Sequence, residues 1–165
     1  MINKNQLTER SFTPSQLSGF DGAHSIQLPV DFIHDLSKAD SLQAVLDTIA
    51  YWISHVFDAD RASITLQDTE EYLKLYSISG NHAIPMDFKI PIGQTFVGRV
   101  FACAKLIICD DLSQSDELDC RMLSEHGMET CMDAPMIHNG VCIGTLNVAD
   151  QRLSLIHIWR CRRAI

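Results

Sequence analysis

The stretch Cys131–Asp150, with the sequence CMDAPMIHNGVCIGTLNVAD, decides the fold of this chain. At its centre, Asn139-Gly140 is the dipeptide best suited to a two-residue type I′ turn, because both central residues of that turn need a positive φ. Apolar and β-branched residues flank the turn in Ala134–Ile137 and Val141–Val148, a pattern typical of a β-hairpin. Neither face of the second strand is clearly polar, which predicts an interior strand of a sheet that is covered on both faces.

Length, charge and hydropathy narrow the class of protein. The chain has 165 residues, of which 46% are hydrophobic, and a net charge of −8. One core of useful size can form, and the acidic charge argues against nucleic acid as a partner, because phosphate binding needs a basic surface. The sequence contains no apolar run of membrane-spanning length and no signal-peptide pattern, so we expect a cytoplasmic location and no membrane partner. The six cysteines are then expected to be reduced thiols.

Helical and strand patterns alternate before the hairpin. Residues 1–28 are polar without sustained periodicity and are predicted to be a flexible lead-in. A short helix after Pro29 and a longer one, for which Asp40 or Ser41 offers an N-cap, carry apolar residues at helical spacing. Further strands are predicted at Ala62–Gln67, Tyr72–Ile78, Met86–Ile92 and Leu106–Cys109, and further helices over Gln94–Lys105 and from Ser115 to Gly127. This order predicts one α+β domain over residues 29–150, with mostly antiparallel pairing.

The last residues differ in character from the rest of the chain. Leu153–Ile165 reads LSLIHIWRCRRAI, which is basic and aromatic. It resembles translated read-through of a sequencing adapter, and the alternative is a genuine basic strand or helix at the C-terminus. We therefore expect residues 151–165 to be a non-native tail and exclude them from functional argument.

Four pieces of the sequence, taken in order, resemble a GAF domain over about Pro29–Asp150. They are RASITL from Arg61, IGQTFVGRVF from Ile92, LIICDDL from Leu106 and DAPMIHNGVCIGTLNV from Asp133. The resemblance implies a central antiparallel sheet of about six strands. One face would carry packed helices, and the other would be roofed by the connecting segment to enclose a small-molecule pocket. The helix that normally follows the last strand is not recognisable, so we expect the domain to be truncated there.

The resemblance also implies a function, that of a sensory or regulatory domain in a signal-transduction protein. Such a domain binds a small ligand or relays a signal through its terminal helices, as a homodimer, to an output domain that is absent from this chain. The sequence names neither the ligand nor a cofactor. Polar residues that could face the pocket are His82, Gln94, Thr95, Arg99, Asp110, Asp111, Cys120, His126, Thr130 and Asp133.

The helix that begins at Gln94 offers a specific seat within this pocket. Its first backbone N–H groups have no partner inside the helix and could bind an anionic ligand. Capping by local side chains or water is the competing interpretation. Cyclic nucleotides are disfavoured as the ligand, because the Asn-Lys pair that the resemblance predicts is Asn147-Val148 here.

The cysteines allow an alternative function on the same fold, a thiol-dependent reductase of free methionine sulfoxide. Such chemistry needs activated, paired thiols. Cys120 lies near the position of a pocket cysteine in these enzymes, with Cys109 or Cys131 as a neighbour. The cysteine expected at the start of the glycine-led helix is absent, however, and Phe96-Val97 stands there. Core packing explains the cysteines better, so we predict no catalytic residue.

Two further interpretations complete the sequence-based account. Closely spaced ligand pairs such as C-x-x-C are missing, so no metal site is predicted. A purely structural dimerisation module, with side chains filling the pocket, stays open as a third hypothesis beside the sensor and the reductase.

Overall fold

The computed structural model describes residues 9–13 and 28–152. Within these residues, seven strands form one antiparallel sheet in the order β1-β5-β6-β7-β2-β3-β4. The strands are β1 (Glu9–Phe12), β2 (Arg61–Gln67), β3 (Tyr72–Gly80), β4 (Lys89–Pro91), β5 (Leu106–Cys109), β6 (Thr130–His138) and β7 (Val141–Asp150). The helices are α1 (Val30–Lys38), α2 (Leu42–Phe57), α3 (Phe96–Cys103) and α4 (Leu118–Glu125), with 3-10 turns at Ile92–Gln94 and Leu112–Gln114. The predicted α+β class is confirmed.

The hairpin that opens the sequence argument is present as β6 and β7. Asn139 and Gly140 turn the chain with φ values of 50° and 79°. β7 lies between β6 and β2, which confirms the predicted interior strand. β6 is longer than predicted, because its ladder runs on through Pro135 and shifts register only between Met136 and Ile137.

The prediction of about six strands is wrong by one strand. The additional strand is β1, which lies inside the predicted lead-in and pairs with β5 at the edge of the sheet. Its sequence is polar, and partners remote in sequence hold it: Arg10 forms an ion pair with Asp110 at 2.8 Å, and Glu9 with Arg99 at 2.9 Å. Such long-range pairs leave no trace in local periodicity. The rest of the lead-in and the tail from residue 153 lie outside the described residues.

The two faces of the sheet carry separate hydrophobic clusters. Leu46 and Ala50 of α2 pack on Ile64 of β2 on one face. On the other face, α3, α4 and the segment around β4 form a roof, with Phe96 and Val100 buried against the sheet. Between residues 28 and 152, and in the short piece 9–13, we find no helix with the length and apolar character needed to cross a membrane.

Candidate functional site

Three polar side chains form a row on the roofed face of the sheet. In the ladder of neighbouring strands, Asn147 of β7 lies opposite Ser63 of β2 on one side and Asp133 of β6 on the other. Because residues two apart in a strand share a face, Arg61 and Cys131 belong to the next row on this face. All five side chains are buried. A polar row of this kind, enclosed by protein, needs partners for its hydrogen-bonding groups.

The row forms the floor of a cavity beneath the roof. The empty space within its outline is about 270 Å³ including open solvent, and the enclosed part has room for about one water molecule. Its floor and walls are Arg61, Ser63, Cys131, Asp133 and Asn147 together with Val148 and Ala149, and its roof is Ile84, Val97 and Leu123. An apolar roof over a few convergent polar groups is the usual composition of a small-molecule site.

The row contains hydrogen-bonding capacity that the protein does not use. The side-chain oxygen of Asn147 is buried and has no hydrogen-bond partner in the described part of the chain. Its side-chain nitrogen donates to the Ser63 hydroxyl over a long 3.5 Å. A buried acceptor without a partner costs about 1–3 kcal/mol of stability, so this amide is poised to accept a hydrogen bond from a bound molecule.

Arg61 and Asp133 bring a guanidinium and a carboxyl group to the same cavity. The Arg61 guanidinium donates to the backbone oxygen of Asn81. Burial lowers the pKa of Arg61 to about 10, against the opposing effect of the Asp133 charge. Burial also raises the pKa of Asp133 well above its usual range; the charge of Asp119 adds to this effect and the charge of Arg61 opposes it. A ligand with a cationic or donor group beside Asp133 would relieve this cost.

The stability of the protein should therefore depend on pH through Asp133. Because its folded pKa is raised, the native state keeps a proton that the unfolded chain releases near its ordinary pKa of about 3.9. This contribution is fully present below the unfolded pKa and is lost as pH rises through the folded pKa. We expect the free energy of unfolding of the wild type, measured by urea denaturation, to fall relative to Asp133→Asn as pH rises above about 4. A difference between the two proteins that stays constant with pH would contradict this assignment.

Of the pocket residues predicted from the sequence, Asp133 is the one that lines this cavity. His82, Gln94 and His126 are exposed. Three others serve the structure at the sheet edge and on the roof: Arg99 binds Glu9 and Glu117, Asp110 binds Arg10, and Asp111 caps the turn at Ser113. Thr130 is buried, and its hydroxyl donates to the backbone oxygen of Arg152.

The predicted anion seat at the start of the glycine-led helix is already filled. The Asp119 carboxylate of α4 accepts the backbone N–H groups of Phe96 at 2.8 Å and Val97 at 3.0 Å. The Thr95 hydroxyl accepts the N–H of Gly98 at 3.1 Å. The helix begins at Phe96 rather than at the predicted Gln94, and its first N–H groups are bound by a side chain of the protein, so they are not free for a ligand.

Sequence reasoning missed Arg61, Ser63 and Asn147. They were placed in strands but not in the site. A usable signal was present, because Arg61, Ser63 and Thr65 alternate with Ala62 and Ile64 in a strand that is otherwise apolar. Inward-facing polar residues at period two in an interior strand indicate a polar site rather than a solvent face.

Cys120 does not line the cavity. It is buried on α4, where its thiol is in hydrogen-bonding contact with that of Cys131. That hydrogen bond lowers the pKa of Cys120, but burial and the charge of Asp119 together raise it above the usual value for a thiol. Cys120 is therefore poorly placed to act alone as a nucleophile.

An antiparallel sheet that carries helices on one face and a roofed polar cavity on the other defines the class of small α+β domains expected from the sequence. The family model for the GAF domain matches residues 41–159. The chain therefore belongs to the GAF domain family, whose members occur in sensory and regulatory proteins. No match is found among curated proteins.

Solved structures agree with this family. The GAF domain of a phosphoenolpyruvate-protein phosphotransferase from Coxiella burnetii is similar at 16% identity and a TM-score of 0.66, over 82% of this chain and 94% of that one. The A. aeolicus nlh2 GAF domain is similar at 11% identity and a TM-score of 0.65, over 81% and 83%. A free methionine-R-sulfoxide reductase from Neisseria meningitidis is similar at 20% identity and a TM-score of 0.63, over 81% and 87%. At these identities the likeness concerns the fold alone.

Proposed function

We propose that this chain is a cytoplasmic sensory or regulatory GAF domain that binds a small polar ligand in the roofed cavity. The observation that carries the proposal is the buried side-chain oxygen of Asn147, which has no hydrogen-bond partner among residues 9–13 and 28–152. A bound N–H or O–H group would satisfy it. The unpaired acceptor lowers the stability of the free protein. Functional sites often tolerate such a loss of stability because the same group is needed for function.

The cavity restricts the chemistry of the ligand. Asn147 and Asp133 lie opposite each other in the ladder, so a donor group seated between them can serve both. Arg61 lies on the same floor and favours an acceptor or a negative group. The enclosed space is about the size of a water molecule, so a larger ligand enters only if the roof moves away from the sheet. A compact molecule with at least one donor and one acceptor group would then match the polar groups of the floor.

Signal relay follows from the position of the cavity between roof and sheet. A ligand that contacts both would favour the closed arrangement of α3 and α4 over an open one, which is a shift of populations. Signals would leave through α1 and α2, whose apolar residues Val30, Ile33, Leu42 and Tyr51 are exposed. An uncovered apolar face suits pairing with the same helices of a second copy and contact with an output domain.

The test is thermal denaturation of the purified protein against a panel of small polar metabolites, with native mass spectrometry for any co-purified ligand. We expect at least one compound to raise Tm in proportion to the logarithm of its concentration. The matched control variant is Thr69→Ala, at an exposed loop position outside the cavity lining. This variant should keep the ligand-induced rise in Tm. No bound ligand and no shift across the panel would favour a purely structural dimerisation module.

The alternative function, reduction of free methionine sulfoxide, has one observation in its favour. Cys109, Cys120 and Cys131 form a contiguous thiol cluster beside the cavity. In that reaction the sulfoxide oxygen leaves as water while two thiols join as a disulfide, which a dithiol then reduces. Turnover of free methionine sulfoxide with dithiothreitol, lost in Cys120→Ser, would replace the sensor proposal with this enzyme.

A further inference from the structure

Three cysteines from different elements meet at the edge of the cavity. Cys131 of β6 belongs to the same buried cluster as Cys109 of β5, its partner in the ladder, and Cys120 of α4. All three are buried, and Cys131 also lines the cavity. In the described part of the chain, no group of three or more His, Cys, Asp or Glu is arranged to hold a metal ion, so these thiols call for another explanation.

The pair Cys109 and Cys131 has the geometry of a cross-strand disulfide. The two residues lie directly opposite each other in the antiparallel ladder of β5 and β6. Opposed residues in such ladders have Cα atoms about 4.5–5.5 Å apart, within the range of about 4.4–6.8 Å that disulfides require. Their side chains also point to the same face, because directly opposed residues of an antiparallel ladder do so, with Cβ atoms about 4.5–5.5 Å apart. A bond between them needs no rearrangement of the sheet.

We propose that Cys109 and Cys131 form a reversible disulfide when a hydroperoxide reaches the cavity, which makes this sheet edge an oxidation site. The inference rests on the thiol geometry and is independent of the proposed ligand. Hydrogen peroxide is close to water in size and can enter where Cys131 forms the wall. The product would tie β5 to β6 beside the cavity.

The reaction balances within the pair. The Cys109 sulfur attacks one peroxide oxygen, the O–O bond breaks, and the leaving oxygen departs with the thiol proton as water or an alcohol. The Cys131 sulfur then attacks the resulting sulfenic sulfur, the S–O bond breaks, and a second water leaves with the Cys131 proton. Two thiol sulfurs are oxidised and the peroxide is reduced. A dithiol restores both thiols by exchange.

The surroundings distinguish the roles of the two sulfurs. The hydrogen bond from Cys131 lowers the pKa of Cys109, aided by the backbone N–H of Asp111 and against burial. Burial, and then the hydrogen bond with Cys109, raise the pKa of Cys131 well above its usual value. Thiolate is the attacking form, so Cys109 is the better nucleophile and Cys131 the better resolving thiol.

The test treats the reduced protein with hydrogen peroxide, blocks the remaining thiols and maps the disulfides by mass spectrometry. Digestion with trypsin and Glu-C separates Cys109 in 106–117, Cys120 in 118–121 and Cys131 in 130–152. Cys131 and Cys142 share the last peptide, so a Cys142→Ser background resolves them. We expect a loss of two hydrogen masses, recovered with dithiothreitol, and a cross-link between the first and last of these peptides.

Variants separate this pair from its neighbours. Cys131→Ser should abolish the cross-link and leave a sulfenic acid on Cys109 that dimedone traps. Cys120→Ser and Cys103→Ser should keep the cross-link. Three results would overturn the proposal: a Cys109–Cys120 link, a Cys120–Cys131 link in the wild type, or no link at all. Mapping in the Cys142→Ser background decides the matter even if a further substitution prevents folding.

Discussion

Replacing Asp119 with alanine is expected to lower the free energy of unfolding by about 3–5 kcal/mol. The Asp119 side chain accepts two backbone N–H groups at the start of α3, and both become buried donors without partners when it is removed. Burial raises the pKa of Asp119 while these hydrogen bonds act in the opposite direction, and carboxyl oxygens accept hydrogen bonds in either protonation state. Urea denaturation at neutral pH measures the change.

Asp116→Ala is the matched control for this measurement. Asp116 precedes the same helix but is exposed, so its removal should change the free energy of unfolding by less than about 0.5 kcal/mol. A loss of under about 1 kcal/mol in Asp119→Ala would show that water replaces the carboxylate at the helix start, and that α3 is not anchored by α4.

The second large effect is expected from Gly98→Ala. A Cβ at this position would lie 2.2 Å from the Ile92 carbonyl oxygen and 2.5 Å from its Cα, so the roof segment must move away from α3. Because backbone cannot yield as a flexible side chain can, we expect a loss of about 3 kcal/mol or more in the free energy of unfolding, measured by urea denaturation.

Gly93→Ala provides a control only a few residues away. No atom lies within 4 Å of a Cβ built at Gly93, so this substitution should be neutral or slightly stabilising. Equal effects of the two substitutions would mean that the close approach of α3 to the Ile92 turn does not hold the roof in place.

Local signals explain why most of the fold was predictable. The Asn139-Gly140 turn, the apolar stripe of α2 and the alternation of the strands each act over a few residues, and each appears where the sequence places it. β1 was not predictable in this way. It depends on pairing with β5 and on ion pairs to Asp110 and Arg99, all remote in sequence.

The candidate site shows the same limit more strongly. Asp133 could be suspected from its position beside the hairpin, but the row Ser63–Asn147–Asp133 exists only through the register of three strands. The glycine-led helix start has the properties predicted for an anion seat. Only the tertiary structure reveals that Asp119, from the next helix, occupies it. The sequence therefore indicates the N–H donors at the start of the helix, but not that the Asp119 side chain accepts their hydrogen bonds.

Two buried polar groups of the cavity make the ligand-free protein less stable than apolar residues in their place would. Asn147 has an acceptor without a partner, and Asp133 has a raised pKa in the same row. A purely structural module gains nothing from these two losses of folding stability, because replacing polar groups with apolar ones of similar shape is often neutral or stabilising. In a binding site, both groups would form hydrogen bonds with the ligand.

The most direct test of this account is the free energy of unfolding of ligand-free Asn147→Leu, with Thr145→Val as its control. Thr145 lies two residues away on the same face, and its hydroxyl is paired with that of Thr65 at 2.7 Å. In a Ser63→Ala background, which removes the other partner of the 3.5 Å hydrogen bond of Asn147, a site built for a ligand predicts opposite signs: Asn147→Leu gains about 1 kcal/mol and Thr145→Val loses about 1 kcal/mol. The Leu variant should also lose the Tm rise given by any compound that stabilises the wild type. A loss of stability in Asn147→Leu, with the ligand-induced rise intact, would contradict the account.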